Sequence, residues 1–316
     1  MSQKRKVVII GTGHVGSHCA YSLCHLGVCD ELVLIDTDTQ KVTSHVIDIS
    51  DMLAFMPSPV KVRAGDYSDC ADADIVAVSA GVPRLPGQTR LDTLGASINV
   101  IKEILPPLKN SGFDGILITI TNPADIVADY MHKYLDLPKE RVFSTGTALD
   151  TARLKRVLSE VTGVNTNSIT AFSLGEHGDS QIVPFSCINV GGIPFLEFIK
   201  GTDISLDEIQ TRTRMIGMDI INGKNATEFG IGSAFANMVK NILNDEKKIM
   251  PVSAYLDGEY GQHGLHAGVP VVLGRNGIER IIELDLNDEE RAGFNNSCDI
   301  IKKLLIEAPP AGVGIR

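Results

Sequence analysis

The first half of the chain alternates short apolar runs with stretches of helical spacing, and this alternation limits the possible folds more than any other feature. Near-continuous apolar and β-branched runs are typical of parallel strands that are covered on both faces. Strands are predicted at residues 6–10, 31–35, 60–63, 75–79 and 116–120, and helices at residues 14–26, 39–53 and 94–108. Strands and helices in regular alternation indicate an α/β fold with a doubly wound parallel sheet.

The second half of the chain changes character and predicts a mixed α+β domain. Helical spacing covers residues 149–162, 206–222, 226–244 and 288–306, and Ser205 is a candidate cap for the second of these helices. Apolar segments at residues 248–256, 269–273 and 279–284 follow one another closely with glycine turns between them, which indicates an antiparallel meander. We therefore divide the chain into domains at residues 1–145 and 146–316.

The composition argues against nucleic acid, a membrane or a metal ion as a partner of this protein. The chain has 316 residues, 43% of them hydrophobic, and a net charge of −10, which argues against nucleic acid because phosphate binding needs clustered positive charge. No segment approaches the roughly 18 apolar residues of a membrane span. The six cysteines form no Cys-x-x-Cys pair, so they are expected to be thiols in a reducing compartment rather than metal ligands. The expectation is a cytoplasmic protein without metal or membrane association.

A glycine-rich loop predicts a dinucleotide site. Residues 11–16 read Gly-Thr-Gly-His-Val-Gly and lie between the first predicted strand and the first predicted helix. Gly11, Gly13 and Gly16 permit a tight turn, close approach of the backbone to a pyrophosphate and packing of the helix on the sheet, and Val15 lies in the same loop. The helix N-terminus then faces the negative charge. This context indicates a Rossmann-type domain.

Asp36 ends the second predicted strand, twenty residues after Gly16. At this position a carboxylate accepts hydrogen bonds from the adenosine ribose hydroxyls and repels a 2′-phosphate, so NAD is favoured over NADP as the cofactor. The alternative is that Asp36 caps the helix that follows.

Further polar residues stand at strand ends and helix starts, where sites in such folds collect. Asn122 follows the strand at 116–120, Asp150 and Arg153 lie on one face near the start of a helix, and His177 lies between glycines in a polar turn. Hydride transfer to a carbonyl leaves an oxyanion that needs a proton, and histidine is suited to deliver it near neutral pH. Asp150 can orient that histidine.

A loop rich in proline and glycine carries two arginines. Arg84 and Arg90 lie six residues apart, and the guanidinium group is a planar, permanently charged fork that binds carboxylates. We expect this loop to close as a lid over an anionic substrate.

Together, residues 11–16, Asp36, the arginine loop and the segments 121–123, 150–153 and 175–179 resemble the L-lactate/L-malate dehydrogenase family over essentially the whole chain. Segments 65–70 and 111–115 look more like bacterial lactate dehydrogenases than malate enzymes. The resemblance implies reversible hydride transfer between NADH and a small 2-oxo acid, and assembly as a homodimer or homotetramer.

The resemblance also implies roles for individual residues. His177 is the proton donor and acceptor, Asp150 orients it, and Arg153 binds the substrate carboxylate. Arg90, delivered by the lid, polarises the carbonyl, and Asn122 contacts both substrate and nicotinamide.

Substrate choice depends on two positions that disagree. Lactate-specific members usually carry glutamine where this chain has Arg84, whereas malate enzymes carry an arginine that pairs with the second carboxylate of the substrate. Thr227, in contrast, matches the threonine usual in lactate enzymes. Because an unpaired arginine over a methyl group is costly, Arg84 favours oxaloacetate and malate. The alternatives are pyruvate and lactate, or a broad range of 2-oxo acids.

Two other inferences concern regulation and rival functions. Lactate dehydrogenases activated by fructose 1,6-bisphosphate carry an arginine and a histidine where this chain has Lys155 and Thr170, which argues against that activation. A non-catalytic NAD-binding protein is expected to lose His177, Arg153 or Arg90, and none is lost. A metal-assisted NAD-using glycosidase needs a Cys/His pair that the sequence does not display.

Overall fold

The computed structural model describes residues 5–82 and 90–308, with the backbone alone for residues 90–93. The N-terminal half forms six parallel strands connected by helices. The strands are β1 (Lys6–Ile10), β2 (Glu31–Ile35), β3 (Lys61–Ala64), β4 (Ile75–Val78), β5 (Ile116–Thr119) and β6 (Val142–Ser144). Their order across the sheet is β3-β2-β1-β4-β5-β6. The strand order reverses between β1 and β4, and a ligand crevice forms beyond the carboxyl ends of the strands at such a point.

Helices cover both faces of this sheet. They are α1 (His14–Leu26), α2 (Thr39–Leu53), α3 (Arg90–Asn110) and α4 (Ala124–Leu135). Every residue of β1, β2 and β4 is buried, as the near-continuous apolar runs predict. The α1 helix ends at Gly27, whose φ of 60° is the left-handed conformation that glycine adopts without steric cost.

The second half adds helices and two sets of antiparallel strands. Its helices are α5 (Ala148–Thr162), α6 (Phe195–Phe198), α7 (Leu206–Lys224), α8 (Phe229–Leu243) and α9 (Asp288–Glu307). Strands β7 (Ile169–Thr170), β8 (Asn189–Val190) and β9 (Ile193–Pro194) form a small sheet. Strands β10 (Lys248–Asp257), β11 (His263–Gly274) and β12 (Gly277–Ile281) form the meander.

The meander extends the parallel sheet. β10 pairs with β6 through Ser253 and Ser144, so that within the described ranges nine strands form one sheet. The proposed domain boundary after residue 145 falls between β6 and α5, and the sheet crosses it. No helix in the described part of the chain is long and apolar enough to cross a bilayer.

The predicted Rossmann-type α/β fold is confirmed, and the differences have physical causes. The sequence pattern missed α4, whose buried positions include Asp125 and Asp129 as well as apolar residues. It also missed β6, α6 and the two-residue strands, which are too short to show a period. The α8 helix begins at Phe229 rather than at residue 226, because Glu228 has a φ of −133°, which is not helical.

Candidate active site

His177 and Asp150 form the centre of the site. The Nδ1 atom of His177 lies 2.6 Å from Oδ2 of Asp150, in the first turn of α5. A carboxylate can only accept, so Nδ1 carries the hydrogen and Nε2 is left for a substrate. The His177 side chain is 24% exposed and Asp150 is buried, so part of the ring is accessible to solvent.

The two groups change each other's protonation. Burial alone would lower the pKa of His177, but the charge and hydrogen bond of Asp150 outweigh it and the pKa is raised. For Asp150, burial would raise the pKa, and the neighbouring His177 and Arg153 reverse this and lower it. The arrangement therefore favours the imidazolium–carboxylate pair, in which the ring can donate a proton.

Arg153 binds the other oxygen of the same carboxylate. Its Nη1 donates to Oδ1 of Asp150 at 3.0 Å, and its Nε is buried without a hydrogen-bond partner among the described residues. A side chain at Gly217 of α7 would place its Cβ 3.2 Å from Nη1 of Arg153, so a glycine there leaves room for the guanidinium group. The sequence predicted a carboxylate-binding arginine, and the structure places it beside His177 through their shared partner.

Sequence reasoning missed Asp125, in the first turn of α4. Its Oδ2 accepts the backbone N–H of His177 at 2.9 Å, and its Oδ1 accepts the hydroxyl of Ser253 from β10. Asp125 is 3% exposed. The available signal was an aspartate within an otherwise apolar segment directly after Asn122 and Pro123.

The turn that carries His177 is held by tight backbone packing. Gly175 has a φ of 89° and exchanges backbone hydrogen bonds with Gly268 at 2.9 and 2.8 Å. A Cβ at Gly175 would lie 2.4 Å from Oγ of Ser297, which itself accepts the Glu176 N–H at 2.8 Å. Only glycine fits here, because both the conformation and the space exclude a side chain.

The glycine-rich loop has the geometry of a pyrophosphate cradle. A Cβ at Gly11, which has a φ of 93°, would lie 2.5 Å from the backbone nitrogen of Ala80, and one at Gly16 would lie 1.9 Å from Gly11 O. A Cβ at Gly13 would meet no described atom within 4 Å. Gly13 therefore faces open space at the N-terminus of α1, next to Val15, where a bound anion meets the helix dipole.

Asp36 is tied to this loop. Its Oδ2 accepts the backbone N–H of Thr12 at 2.6 Å and the Thr12 hydroxyl at 2.7 Å. Burial would raise its pKa, but these hydrogen bonds and one from Asp38 N–H lower it. The side chain that caps α2 is that of Asp38, which accepts Lys41 N–H, so the alternative role for Asp36 does not describe this structure.

The remaining predicted site residues lie near the end of β5, beside the glycine-rich loop, or outside the described atoms. Asn122 is exposed directly beyond β5. Thr227 is half-buried before α8, and the adjacent Glu228 lies 2.7 Å from Nδ1 of His14, which places this segment beside the glycine-rich loop. Arg84 lies outside the described residues, and of Arg90 only the backbone, at the start of α3, is described.

Comparison with known proteins agrees with this geometry. Residues 5–144 match the family described as lactate/malate dehydrogenase, NAD binding domain, and residues 147–308 match the family described as lactate/malate dehydrogenase, alpha/beta C-terminal domain. The chain belongs to the lactate/malate dehydrogenase family. The predicted NAD cofactor is thereby confirmed at the level of the domain.

Individual members of the family are similar over almost their whole length. An L-lactate dehydrogenase of Fusobacterium nucleatum is 45% identical over 313 residues, which cover 96% of this chain and 97% of that protein. The structure of a minor L-lactate dehydrogenase from Enterococcus mundtii in a ligand-bound form is 38% identical, with a TM-score of 0.94 and coverage of 98% and 99%. A lactate dehydrogenase from Cryptosporidium parvum, complexed with lactic acid and the NAD cofactor, is 30% identical, with a TM-score of 0.92 and coverage of 98% and 100%.

Proposed function

We propose that this family member is an L-lactate dehydrogenase, which reduces pyruvate to L-lactate with NADH and catalyses the reverse reaction. The observation that carries the proposal is the Asp150 carboxylate, which binds Nδ1 of His177 on one oxygen and Nη1 of Arg153 on the other. This arrangement combines a proton donor with a carboxylate-binding cation. The similar proteins named above, which are lactate dehydrogenases, favour pyruvate as the substrate.

In this proposal His177 supplies the proton. Its Nε2–H donates to the carbonyl oxygen of the 2-oxo acid as negative charge develops there, and in the reverse direction Nε2 accepts the hydroxyl proton. Asp150 keeps the ring in the required tautomer and stabilises the imidazolium, because its charge is held within hydrogen-bond distance.

The other site residues bind and orient the substrate. Arg153 binds the substrate carboxylate through its guanidinium group, and Asn122 contacts the substrate and the nicotinamide. By the same resemblance Arg90 polarises the carbonyl, and Thr227 contacts the substrate from the segment before α8. These roles rest on the family resemblance.

The open face at Gly13 and the Asp36 carboxylate fit NAD. When bound, NADH supplies the hydride that is transferred to the 2-carbon of the substrate. The residues of this chain then hold the pyrophosphate at the N-terminus of α1, through Gly11, Gly13 and Gly16, and bind the ribose at Asp36.

The substrate assignment is tested by comparing oxaloacetate with pyruvate. Arg84 favours oxaloacetate, which is the second candidate, whereas the relatives favour pyruvate. We would measure kcat/KM for pyruvate, oxaloacetate and phenylpyruvate by NADH absorbance, in the wild type and in Arg84→Gln. Pyruvate as the best wild-type substrate supports the proposal, and a preference for oxaloacetate that is lost in Arg84→Gln assigns the protein to malate instead.

The proton-transfer role is tested separately with His177→Asn. This variant should bind NADH as the wild type does and lose turnover with every 2-oxo acid. Unaltered turnover in His177→Asn would overturn the assignment of the proton donor.

We also propose assembly as a homodimer or homotetramer. The support is the resemblance to the family together with large exposed apolar side chains on α2 and α7, where Ile47 is 59% and Met215 is 51% exposed. Light scattering at micromolar concentration tests it, and a monomer of 34.0 kDa would refute it.

A further inference from the structure

Asp125 is a second buried carboxylate at the reacting histidine. Asp150 binds the ring of His177, whereas Asp125 binds the main chain of the same residue through its N–H at 2.9 Å. The two carboxylates come from the first turns of two different helices, α5 and α4. His177 is therefore held between them by both its side chain and its backbone.

The surroundings of Asp125 act on its carboxylate in opposite directions. Both oxygens accept hydrogen bonds, from His177 N–H and from the Ser253 hydroxyl. Asp125 lies in the first turn of α4, where the helix dipole favours negative charge. Burial has the larger effect and raises the pKa of Asp125 above its ordinary value, while the hydrogen bonds and the charges of His177 and His266 offset part of this.

Several elements present titratable or charged groups to this pair. Those that act on Asp125 or His177 by charge or hydrogen bond are Asp150 and Arg153 on α5, Ser253 on β10, His266 on β11 and Cys298 on α9. On α4 itself, Asp129 lies one turn away and 3.5 Å from Nδ1 of His266. Asp129 makes an ion pair with Lys133, so a described cation already compensates its charge.

We propose that Asp125 is a positioning residue that fixes the main chain of His177 and, through its negative charge, stabilises the protonated ring during reduction of the substrate. The charge of Asp125 acts on His177 in the same direction as that of Asp150, raising the pKa of the imidazole. This inference rests on the proposed function, because it assumes that His177 exchanges a proton with the substrate.

The rates of reduction and oxidation change with pH in opposite directions. Reduction needs the imidazolium, so its rate falls as pH rises through the pKa of His177; oxidation needs the neutral ring and rises over the same range. Removal of the Asp125 charge lowers that pKa. Reduction is then lost at a lower pH than in the wild type, and oxidation is retained to a lower pH.

The test is the variant Asp125→Asn, which keeps an oxygen for the His177 N–H and an amide for Ser253 but removes the charge. Ser253→Ala is the matched control, because it removes a hydrogen bond to Asp125 and leaves the carboxylate in place. We would measure kcat/KM against pH in both directions, with thermal unfolding of each variant. The expected result is a several-fold loss of reduction at the alkaline end with a gain of oxidation at the acidic end, in Asp125→Asn alone.

A readout without turnover separates this inference from the proposed function. Titration of His177 followed by NMR, with the signal assigned from His177→Asn, should show a lower pKa in Asp125→Asn than in the wild type or Ser253→Ala. An unchanged pKa, or equal shifts in Asp125→Asn and Ser253→Ala, would overturn the role of the charge. A wild type that does not reduce 2-oxo acids would overturn the proposed function and leave this titration interpretable. If Asp125→Asn does not fold, Asp125→Ser makes the same prediction.

Discussion

Asp150 and His177 are 27 positions apart in the sequence, yet Oδ2 of one lies 2.6 Å from Nδ1 of the other. The contact is made because α5 begins directly beyond β6, at the carboxyl edge of the sheet, and the turn at residues 175–180 is held over that edge by β11 and α9. Both groups are thus positioned by the backbone before any substrate arrives. Because the ionised pair is already in place, it does not have to be reorganised or desolvated during the reaction.

The charge of Asp150 should contribute more to turnover than its hydrogen bonds do. Asp150→Asn keeps the size of the side chain but removes the negative charge beside the ring, so the imidazolium loses its partner. We expect kcat for reduction of the 2-oxo acid to fall by about 10²–10⁴-fold, the usual range for positioned proton transfer. The measurement is steady-state turnover with NADH in excess. The control is Asp129→Asn, which changes a buried aspartate of α4 that pairs with Lys133 and should keep kcat within a few-fold. An equal loss of kcat in both variants would show that any buried aspartate charge matters for turnover, whether or not it lies beside His177.

The same pair should make stability depend on pH. The pKa of His177 is raised in the folded state, so its contribution is complete below its unfolded value of about 6.5 and is lost as pH rises through the folded value. The pKa of Asp150 is lowered, so its contribution is present above about 3.9 and is lost as pH falls through its folded value. The difference in Tm between the wild type and His177→Asn should therefore be largest between about pH 4 and 6.5. A difference that does not vary with pH would contradict the ion pair.

Gly175 should tolerate no side chain. Gly175→Ala introduces strain at a φ of 89° and a Cβ 2.4 Å from Oγ of Ser297, so we expect a loss of about 2–4 kcal/mol in the free energy of unfolding and a fall in kcat. Gly163→Ala is the matched control, because Gly163 has a φ of 70° and no described atom within 4 Å of its Cβ. That variant should cost only about 1 kcal/mol. Equal costs in urea unfolding would mean that the packing against Ser297 is not important.

Asp36 should select between cofactors by its charge. Asp36→Ala removes the carboxylate that repels a 2′-phosphate, and we expect kcat/KM for NADPH to rise about tenfold relative to that for NADH. Thr12→Val removes only the hydroxyl that donates to Asp36 and should keep the preference for NADH. A preference that changes equally in both variants would point to the shape of the loop instead of the charge.

The local patterns of the sequence were sufficient for most of the sheet domain, with α4 and β6 as the exceptions. β1 and β2 are short buried apolar runs, and glycines and an aspartate lie at their ends, so the β1–α1–β2 unit and the glycine-rich loop could be located to the residue. His177, Asp150 and Arg153 were identified because their residue types and neighbours are informative. The α4 helix was missed, and Asp125 was missed with it, although that aspartate lies at a buried position among apolar residues.

The sequence patterns could not show which side chains share a hydrogen-bond partner in the folded protein. The sequence determined the elements, the cofactor loop and the chemical types of the site residues, because each depends on neighbours in the chain. Only the packing of α4, α5, β10 and the 175–180 turn against one another determined that His177 has a carboxylate on its ring and a second on its backbone. These contacts join residues that are 27, 52 and 128 positions apart. Their strength comes from burial in a low-dielectric interior, which exists only once the domain has folded.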